Sequence, residues 1–318
     1  MKKNMHNNTT NQIGADSVRF FLARIRIYLS EMYPPCNIVF GLLFFMSAWC
    51  GIDLLSLSDH GRFFPSEIVL FSGAVTIPLF LLLLRIMDEL KDRETDPVHF
   101  PDRSVSRGDV HIADLKILGG LIVAFLFILN LFFTHSTFIF LSTFGYACFM
   151  YKYFFLKELI SKNILTALLT HNPISYLFFL YVVSIYKNNM RAAIPNGQVL
   201  FLGTVFLWSS LSWEIARKIR RPEDETAYQT YSKVLGFRLS LVIPIVLSGA
   251  SIAAVTYLYF DMVIGFILLY MIAVYLFMVM TYVSFYNKQP VLFGLKTTTE
   301  IFIVTIQSLL VTIRIVSL

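Results

Sequence analysis

Charged residues are scarce in this chain of 318 residues. They make up 14% of it, whereas a soluble domain has roughly 25%. Hydrophobic residues make up 57% and the mean hydropathy is +0.68, which excludes an ordinary soluble domain. Long uncharged apolar runs instead indicate an integral membrane protein of the helical type, because backbone polar groups must be paired internally within a bilayer.

Cysteine is scarce as well, with three residues in the whole chain. Cys36, Cys50 and Cys148 lie in or beside apolar segments, and their spacing matches neither a disulfide framework nor a zinc site. We therefore expect them to be small buried hydrophobic residues. No apolar run follows Lys2 and Lys3, so no cleaved signal peptide is predicted.

Composition divides the chain into three regions. Residues 1–15 are polar and are expected to form a disordered tail. Residues 16–35 combine apolar residues at helical spacing with arginines, which predicts an amphipathic helix on the cytoplasmic membrane surface, ended by Pro34 and Pro35. Residues 36–318 contain nine predicted spans, each close to the roughly twenty residues needed to cross a bilayer. The predicted spans are residues 37–57, 65–87, 113–133, 137–156, 164–185, 199–216, 239–259, 262–285 and 297–318.

Lysine and arginine are distributed unequally between the two sets of connecting segments. Most of them fall in the N-terminal region and in loops on the same side, whereas Arg62, Lys187 and Arg191 fall on the other side. Because cytoplasmic loops are enriched in these residues, the N-terminus is predicted to be cytoplasmic and the C-terminus external. A bacterial inner membrane is the expected location. Arg314, in the last span, is expected to reach the far interface.

An acidic stretch, residues 85–96, follows directly after the second span. If the helix continues, Asp88, Asp92 and Asp96 are offset by about 40° from one to the next over roughly 12 Å, and they share one face. Carboxylates so placed repel one another, and Mg²⁺ would remove the repulsion because it prefers oxygen ligands. A solvated helix end is the alternative, since basic residues are interleaved. Pro97 is expected to stop the helix at or before Asp96.

Two further predicted cytoplasmic positions carry basic residues that could bind a phosphate. Arg103, in the loop after the acidic stretch, could donate a planar fork to phosphate oxygens. Alternatively, it serves membrane topology alone. Lys157, after the fourth span, could reach a diphosphate or be an ordinary positive-inside lysine.

A second charged loop follows the sixth span. Glu214 lies near the end of that span, where an unpaired carboxylate is costly. It is either a metal ligand or the partner of Arg217 and Lys218 in an intrahelical ion pair, and both roles can hold. Glu223 and Asp224 either cap the next turn or face the acidic stretch.

With these features the chain resembles the UbiA-type superfamily of intramembrane prenyltransferases. Its nine spans, its Asp-rich segment after span two and its charged loop after span six are similar to that family. The family's first motif, Asn-Asp-x-x-Asp-x-x-x-Asp, is similar to the run that contains Asp88, Glu89, Asp92 and Asp96. The acidic Asp-x-x-x-Asp core of the second motif is absent. Other similar positions are Arg103 and Gly108, then Tyr153, Lys157 and Asn163, and finally Thr230 and Gly236.

The resemblance implies a UbiA-like bundle of about nine helices with a polar site on its cytoplasmic side. It implies Mg²⁺-dependent transfer of a prenyl group from an isoprenoid diphosphate to a lipophilic acceptor in the membrane. Asp88, Asp92 and Asp96 would be the catalytic residues and would bind Mg²⁺. The implied ligands of a second Mg²⁺ are either Glu214 or the pair Glu223 and Asp224, and the implied diphosphate contacts are Arg103, Lys157, Asn163, Arg217 and Lys218.

Two other functions stay open at the level of the sequence. One is a membrane transporter or permease on the same fold, without catalysis. The other is a lipid-linked glycosyl or phosphoribosyl transferase. The spans contain few charges, which favours a site at the membrane interface over a translocation path. The expected partners are the isoprenoid diphosphate, an unspecified acceptor and the lipid bilayer, and no nucleic acid.

Overall fold

The computed structural model describes residues 19–56, 65–190, 193–262 and 265–317. Every regular element in these ranges is a helix, which confirms the predicted all-α fold. The expected disordered tail, the first residues of the amphipathic helix, and Arg62 and Arg191 lie outside the described residues.

Eight described helical segments are long and apolar enough to cross a membrane, and a shorter apolar helix occupies the place of the fourth predicted span. The chain is therefore an integral, multi-pass membrane protein. Two short 3₁₀ turns, Tyr153–Phe155 and Pro222–Asp224, accompany the α-helices. The α-helices are α1 (19–32), α2 (Pro35–Leu54), α3 (Glu67–Lys91), α4 (Asp96–His99), α5 (Ile112–Phe132), α6 (Thr137–Tyr151), α7 (Lys157–Lys162), α8 (Ile164–His171), α9 (Pro173–Met190), α10 (Asn196–Ala216), α11 (Tyr231–Leu235), α12 (Phe237–Leu258), α13 (Gly265–Tyr286) and α14 (Leu295–Val316).

The fourth span is shorter than predicted, because α6 ends at Tyr151 after 15 residues. The next turn is left-handed, with φ values of 51°, 50° and 60° at Tyr153, Phe154 and Phe155, a region that costs energy for residues with a side chain. The turn folds the Phe154 ring back toward α6, where its centroid lies 5.3 Å from that of Tyr146. This aromatic contact offsets part of the backbone strain.

The fifth span consists of two helices, α8 and α9, which meet at Asn172. Pro173 begins α9 because it lacks the N–H that a helix interior requires, whereas a first turn does not need one. The Asn172 side chain compensates for the interruption, since its amide donates to the Leu168 carbonyl oxygen (3.1 Å) and its oxygen accepts from the Ser210 hydroxyl (3.0 Å).

The structure comprises two compact units. Unit 1 contains residues 19–39 and Pro78–Ile128, which include α1, the second half of α3, the loop with α4, and most of α5. In this unit the Arg24 guanidinium donates twice to the Asp114 carboxylate, at 2.6 and 2.9 Å. Helix α1 therefore packs on the start of α5 through a charged contact.

Unit 2 contains the described residues of Phe40–Ile77 and Leu129–Leu318. A buried polar network joins three of its helices. The Asn130 amide donates to Thr76 Oγ1 (3.0 Å), and its side-chain oxygen accepts from the Tyr181 hydroxyl (2.6 Å). Interhelical hydrogen bonds of this kind stabilise helix pairs in a membrane, where few competing partners exist.

Arg314, which was expected to reach the far interface, forms an ion pair near the end of α14. Its position relative to the membrane stays a prediction. Its side chain is 15% exposed and donates to Asp53 Oδ2 at 2.5 Å, while the Tyr186 hydroxyl donates to Oδ1 of the same carboxylate. The pair joins the ends of α2 and α14, because a charge inside an apolar bundle is stable only beside a counter-charge.

The expectation for the cysteines holds at one position and fails at two. Cys50 is buried, but Cys36 and Cys148 are exposed, and all three are free thiols. The reason is that an apolar helix in a membrane protein presents part of its surface to lipid, so apolar surroundings in the sequence do not imply burial in protein.

Candidate functional site

The acidic stretch does not form one continuous helix, and the helix of the second span ends before Asp96, within the predicted limit. Helix α3 ends at Lys91, and a turn leads to α4 at Asp96. Pro97 lies in the first turn of α4, where its missing N–H is tolerated, so it begins a helix instead of ending one. Single helical bonds persist, because the Asp92 amide donates to the Asp88 carbonyl oxygen and the Asp96 amide to that of Asp92, both at 2.9 Å.

Two of the predicted metal ligands in unit 1 are held by basic side chains. Asp88 accepts from the Lys91 ammonium at 3.0 Å, and its side chain is 49% exposed. Asp96 accepts from Arg103 Nη1 at 2.6 Å, and its side chain is 15% exposed. Burial raises the pKa of the Asp96 carboxyl, although the positive charge of Arg103 opposes the shift. The ionised form of the Asp96 carboxyl is therefore less well stabilised here than it would be in water.

Glu89 is the most buried acid of this stretch, with a side chain that is 2% exposed. It forms an ion pair with Arg85, one helical turn earlier, and lies 3.7 Å from Arg103. The Arg103 guanidinium also stacks on the Phe100 ring, 3.8 Å from its centroid. Sequence reasoning treated Glu89 as a substitution in a motif. The available signal was its spacing of four residues from Arg85, which places both side chains on one helical face.

The loop after α4 is held by contacts within unit 1. Glu31 of α1 accepts from the Ser104 amide (2.8 Å) and from Arg107 Nη2 (3.1 Å). Arg107 also donates to Asp109 at 2.8 Å and to the Asp102 carbonyl oxygen. Arg107 thus has a local structural role, whereas Arg103 faces the acidic side chains.

In unit 2, the ion pair considered for Glu214 is present. Arg217 donates to both Glu214 oxygens, at 2.6 and 3.0 Å, and Lys218 lies 2.9 Å from one of them. Arg217 also lies 5.1 Å above the Trp213 ring. One carboxylate thus holds two cations, which leaves this group with an excess of positive charge.

Glu300, in α14, joins this group without having been predicted. Its Oε1 accepts from the Trp213 indole N–H at 2.9 Å and lies 3.5 Å from the Lys296 ammonium. Its side chain is 24% exposed. The signal in the sequence was an acidic residue near the start of a predicted membrane span, where an unpaired carboxylate is costly.

Glu223 and Asp224 are exposed in a 3₁₀ turn. Glu223 lies 2.9 Å from the ammonium of Lys288, and that hydrogen bond lowers the pKa of Glu223. The neighbouring Glu225 instead accepts from the hydroxyls of Thr230 (2.7 Å) and Ser232 (2.6 Å). These contacts are local to unit 2.

The remaining predicted diphosphate contacts lie at helix starts. Lys157 is exposed at the first position of α7. The Asn163 side-chain oxygen accepts from the amides of Leu165 (2.9 Å) and Thr166 (3.4 Å), so Asn163 is the N-cap of α8. This capping role accounts for the asparagine by itself.

The acidic stretch fits Mg²⁺ by its donor chemistry. Within the described ranges, no three His, Cys, Asp or Glu side chains converge closely enough to form a ready metal site. The carboxylates are nevertheless all hard oxygen donors. Lys and Arg side chains of the protein now neutralise them, at positions that a divalent cation would take. Binding therefore requires exchange of Lys91 or Arg103 for the metal ion.

Comparison with known proteins identifies the fold. No protein-family model matches the chain, and no curated protein matches it in sequence. A solved digeranylgeranylglyceryl phosphate synthase is 14% identical, with a TM-score of 0.57 over 92% of this chain and 98% of the other. A UbiA homologue from Archaeoglobus fulgidus, bound to GPP and Mg²⁺, is 11% identical, with a TM-score of 0.59 over 91% and 98%. The same homologue bound to DMAPP and Mg²⁺ gives a TM-score of 0.58.

These similarities show that the chain has the UbiA-type helical fold, which confirms the resemblance at the level of the fold.

Proposed function

We propose that this protein is a Mg²⁺-dependent intramembrane prenyltransferase, which transfers a prenyl group from an isoprenoid diphosphate to a lipophilic acceptor. The observation that carries the proposal is the group formed by Glu89, Asp96 and Arg103 on a UbiA-type fold. Two carboxylates here, the buried one of Glu89 and the half-buried one of Asp96, lie within 4 Å of the Arg103 guanidinium. Such a group offers oxygen ligands to a metal ion and a planar fork to a phosphate.

The two charged stretches support a division of labour. Residues 85–96 contain five acidic and three basic side chains, a net charge of −2, whereas residues 213–221 contain one acidic and four basic side chains, a net charge of +3. The first composition suits a cation and the second suits an anion. We therefore assign metal binding to Asp88, Asp92 and Asp96.

Diphosphate binding is assigned to the basic residues near both stretches. Arg103 would donate paired N–H groups at the acidic stretch. The contacts of Glu214 favour a role in positioning Arg217 and Lys218 for phosphate binding. Metal binding by Glu214, Glu223 and Asp224 stays a prediction. The proposed diphosphate contacts are Arg103, Lys157, Asn163, Arg217 and Lys218.

The chemistry follows from charge and exclusion of water. Bound Mg²⁺ would neutralise the charge that develops on the departing diphosphate. Arg103 would orient the diphosphate through paired N–H donors, and the apolar spans would keep water away from the allylic cation that forms on the prenyl group. The acceptor would enter from the lipid phase, since the helices present apolar surface there.

The proposal is tested by diphosphate release from purified protein in lipid nanodiscs. We expect release from a prenyl diphosphate to require Mg²⁺ and to be lost on chelation. Asp92→Asn should lower the rate about 100-fold or more, because it removes a charge that acts at the reacting centre. Glu158→Gln is the matched control, since Glu158 is exposed and pairs with Lys162. Equal rates for Asp92→Asn and the parent protein would refute the proposal.

One feature would favour a transporter instead, namely the Asp53–Arg314 pair inside the apolar bundle. Its charges are already matched, so it offers no open site for an ion. A flux assay in liposomes separates the two functions, because an enzyme should show no substrate-dependent transport.

A further inference from the structure

Tyr28, in α1, is completely buried, with a relative exposure of 0%. Its hydroxyl oxygen has no hydrogen-bond partner among the described residues. Buried hydroxyls are nearly always paired, because leaving one unpaired costs the free energy of removing it from water. An orphan hydroxyl on a fully enclosed side chain therefore indicates a partner that the protein chain itself does not provide.

The hydroxyl lies within electrostatic range of the acidic stretch. The charges that act on it are those of Arg85 and Glu89, followed by Asp88 and Arg103. These residues belong to the group to which we assign the metal ion and the diphosphate. Burial raises the pKa of Tyr28, so the phenol is neutral at physiological pH and can donate a proton in a hydrogen bond.

The position of Tyr28 is imposed by contacts on both sides of it along the chain. Before it, Arg24 is bound to Asp114 through two hydrogen bonds. After it, the Tyr33 hydroxyl donates to the Pro78 carbonyl oxygen at 2.6 Å. Because the chain is fixed on both sides of Tyr28, α1 cannot rotate to expose this side chain without breaking these contacts.

The carboxylates near Tyr28 already have cationic partners. Glu89 is paired with Arg85, and Asp88 with Lys91. The polar group that remains unmatched is thus the neutral phenol donor, which lies near the guanidinium groups of Arg85 and Arg103. An anionic oxygen that enters together with Mg²⁺ would accept from the phenol and be attracted by those guanidinium groups, while the metal ion offsets the surplus of acids in this stretch.

We propose that Tyr28 is a substrate-contacting residue whose hydroxyl donates a hydrogen bond to a diphosphate oxygen at the acidic stretch. The inference rests on the proposed function and deepens it. It gives α1 a second role, since this helix then forms part of the binding site in addition to any contact with the membrane surface. The ligand chemistry is that of a diphosphate, either on the prenyl donor or as the released inorganic ion.

The test compares Tyr28→Phe with Tyr33→Phe, which removes a hydroxyl from the same helix. The readouts are the thermal unfolding midpoint without ligand, and the affinity for inorganic diphosphate with Mg²⁺ by titration calorimetry. Tyr28→Phe should unfold at or above the parent midpoint, because an unpaired hydroxyl is lost. It should bind diphosphate about 10-fold more weakly, the equivalent of one hydrogen bond to a charged group.

Tyr33→Phe should show the opposite pattern, with a lower midpoint and unchanged diphosphate affinity, because its hydroxyl has a partner within the chain. In turnover, Tyr28→Phe should raise the KM for the prenyl diphosphate more than it lowers kcat. Parent-like diphosphate affinity in Tyr28→Phe would overturn this inference and leave the proposed function intact. If the parent protein itself bound no diphosphate with Mg²⁺, both would fail.

Discussion

One group of ionised side chains near helix ends in unit 2, Asp53 with Arg314, differs from the acidic stretch of unit 1, residues 85–96, in how fully its hydrogen-bonding capacity is used. In unit 2, both oxygens of Asp53 accept hydrogen bonds, one from Tyr186 and one from Arg314. In unit 1, acids outnumber bases in residues 85–96, and the Tyr28 hydroxyl has no hydrogen-bond partner among the residues that the structure describes. The first group is complete as it stands, whereas the second is not.

This difference separates a structural role from a binding role. A buried ion pair with every bond made resists change, because removing either partner strands the other charge. A group with surplus acids and an unpaired hydroxyl has an unfavourable free-energy term that a bound ligand can remove. Changes in the complete group should therefore act on stability, and changes in the incomplete group should act on ligand binding.

The largest effect on stability is expected for Arg314→Ala. The substitution leaves Asp53 charged in a setting where its side chain is 6% exposed, and it should lower the free energy of unfolding by about 3–5 kcal/mol. Thermal unfolding in nanodiscs measures this. Thr312→Val, on the exposed side of α14, should leave the midpoint unchanged. A loss of diphosphate affinity in folded Arg314→Ala would break the comparison.

A smaller effect, on function instead of stability, is expected for Glu89→Gln. It removes a negative charge beside the proposed metal ligands while keeping the shape of the side chain. The Mg²⁺ concentration for half-maximal diphosphate release should rise about 10- to 100-fold, as is usual when a residue that supports metal ligands is changed. The unfolding midpoint should move far less than in Arg314→Ala. A large drop in the midpoint with an unchanged Mg²⁺ requirement would make Glu89 structural.

The sequence was sufficient for eight of the nine predicted spans and for the fold. Apolar runs directly indicate helices that can cross a membrane. The position of the acidic stretch, directly after the second span, indicated the UbiA-type fold that the solved structures confirm. The end of α3 was not predictable in the same way. Pro97 can stop a helix or begin one, and the distinction depends on the turn before it, which packing in unit 1 determines.

Pairings between distant residues were also beyond the sequence. Asp53 and Arg314 are 261 positions apart, and no local pattern relates them. The orphan hydroxyl of Tyr28 is visible only after every neighbour is placed, since absence of a partner is a property of the packed unit. Glu214 is the intermediate case, because its spacing from Arg217 and Lys218 allowed an ion pair without excluding a ligand role.

A still smaller effect is expected for Arg103→Lys. Lysine keeps the charge but loses the planar fork and the stacking on Phe100. Affinity for inorganic diphosphate with Mg²⁺ should fall about 10-fold, which corresponds to one charge-assisted hydrogen bond. Arg93→Lys is the control, because Arg93 is 56% exposed and lies 3.8 Å from Glu94. Equal losses in both variants would mean that charge alone, without geometry, determines diphosphate binding.

The smallest effect is expected for Lys288→Ala, and it tests whether Glu223 holds a metal ion. Lys288 and Glu223 form an exposed pair, and such pairs contribute little to stability, so the unfolding midpoint should not change measurably. Lys288 and Mg²⁺ would compete for the same carboxylate if Glu223 were a ligand, and removing Lys288 would then lower the Mg²⁺ requirement. Because the Glu223 carboxylate already has the Lys288 ammonium as a partner, we expect a structural role for it and no change in that requirement. A lower Mg²⁺ requirement would make Glu223 a metal ligand. It would also show that an ion pair between two exposed side chains does not indicate a structural role.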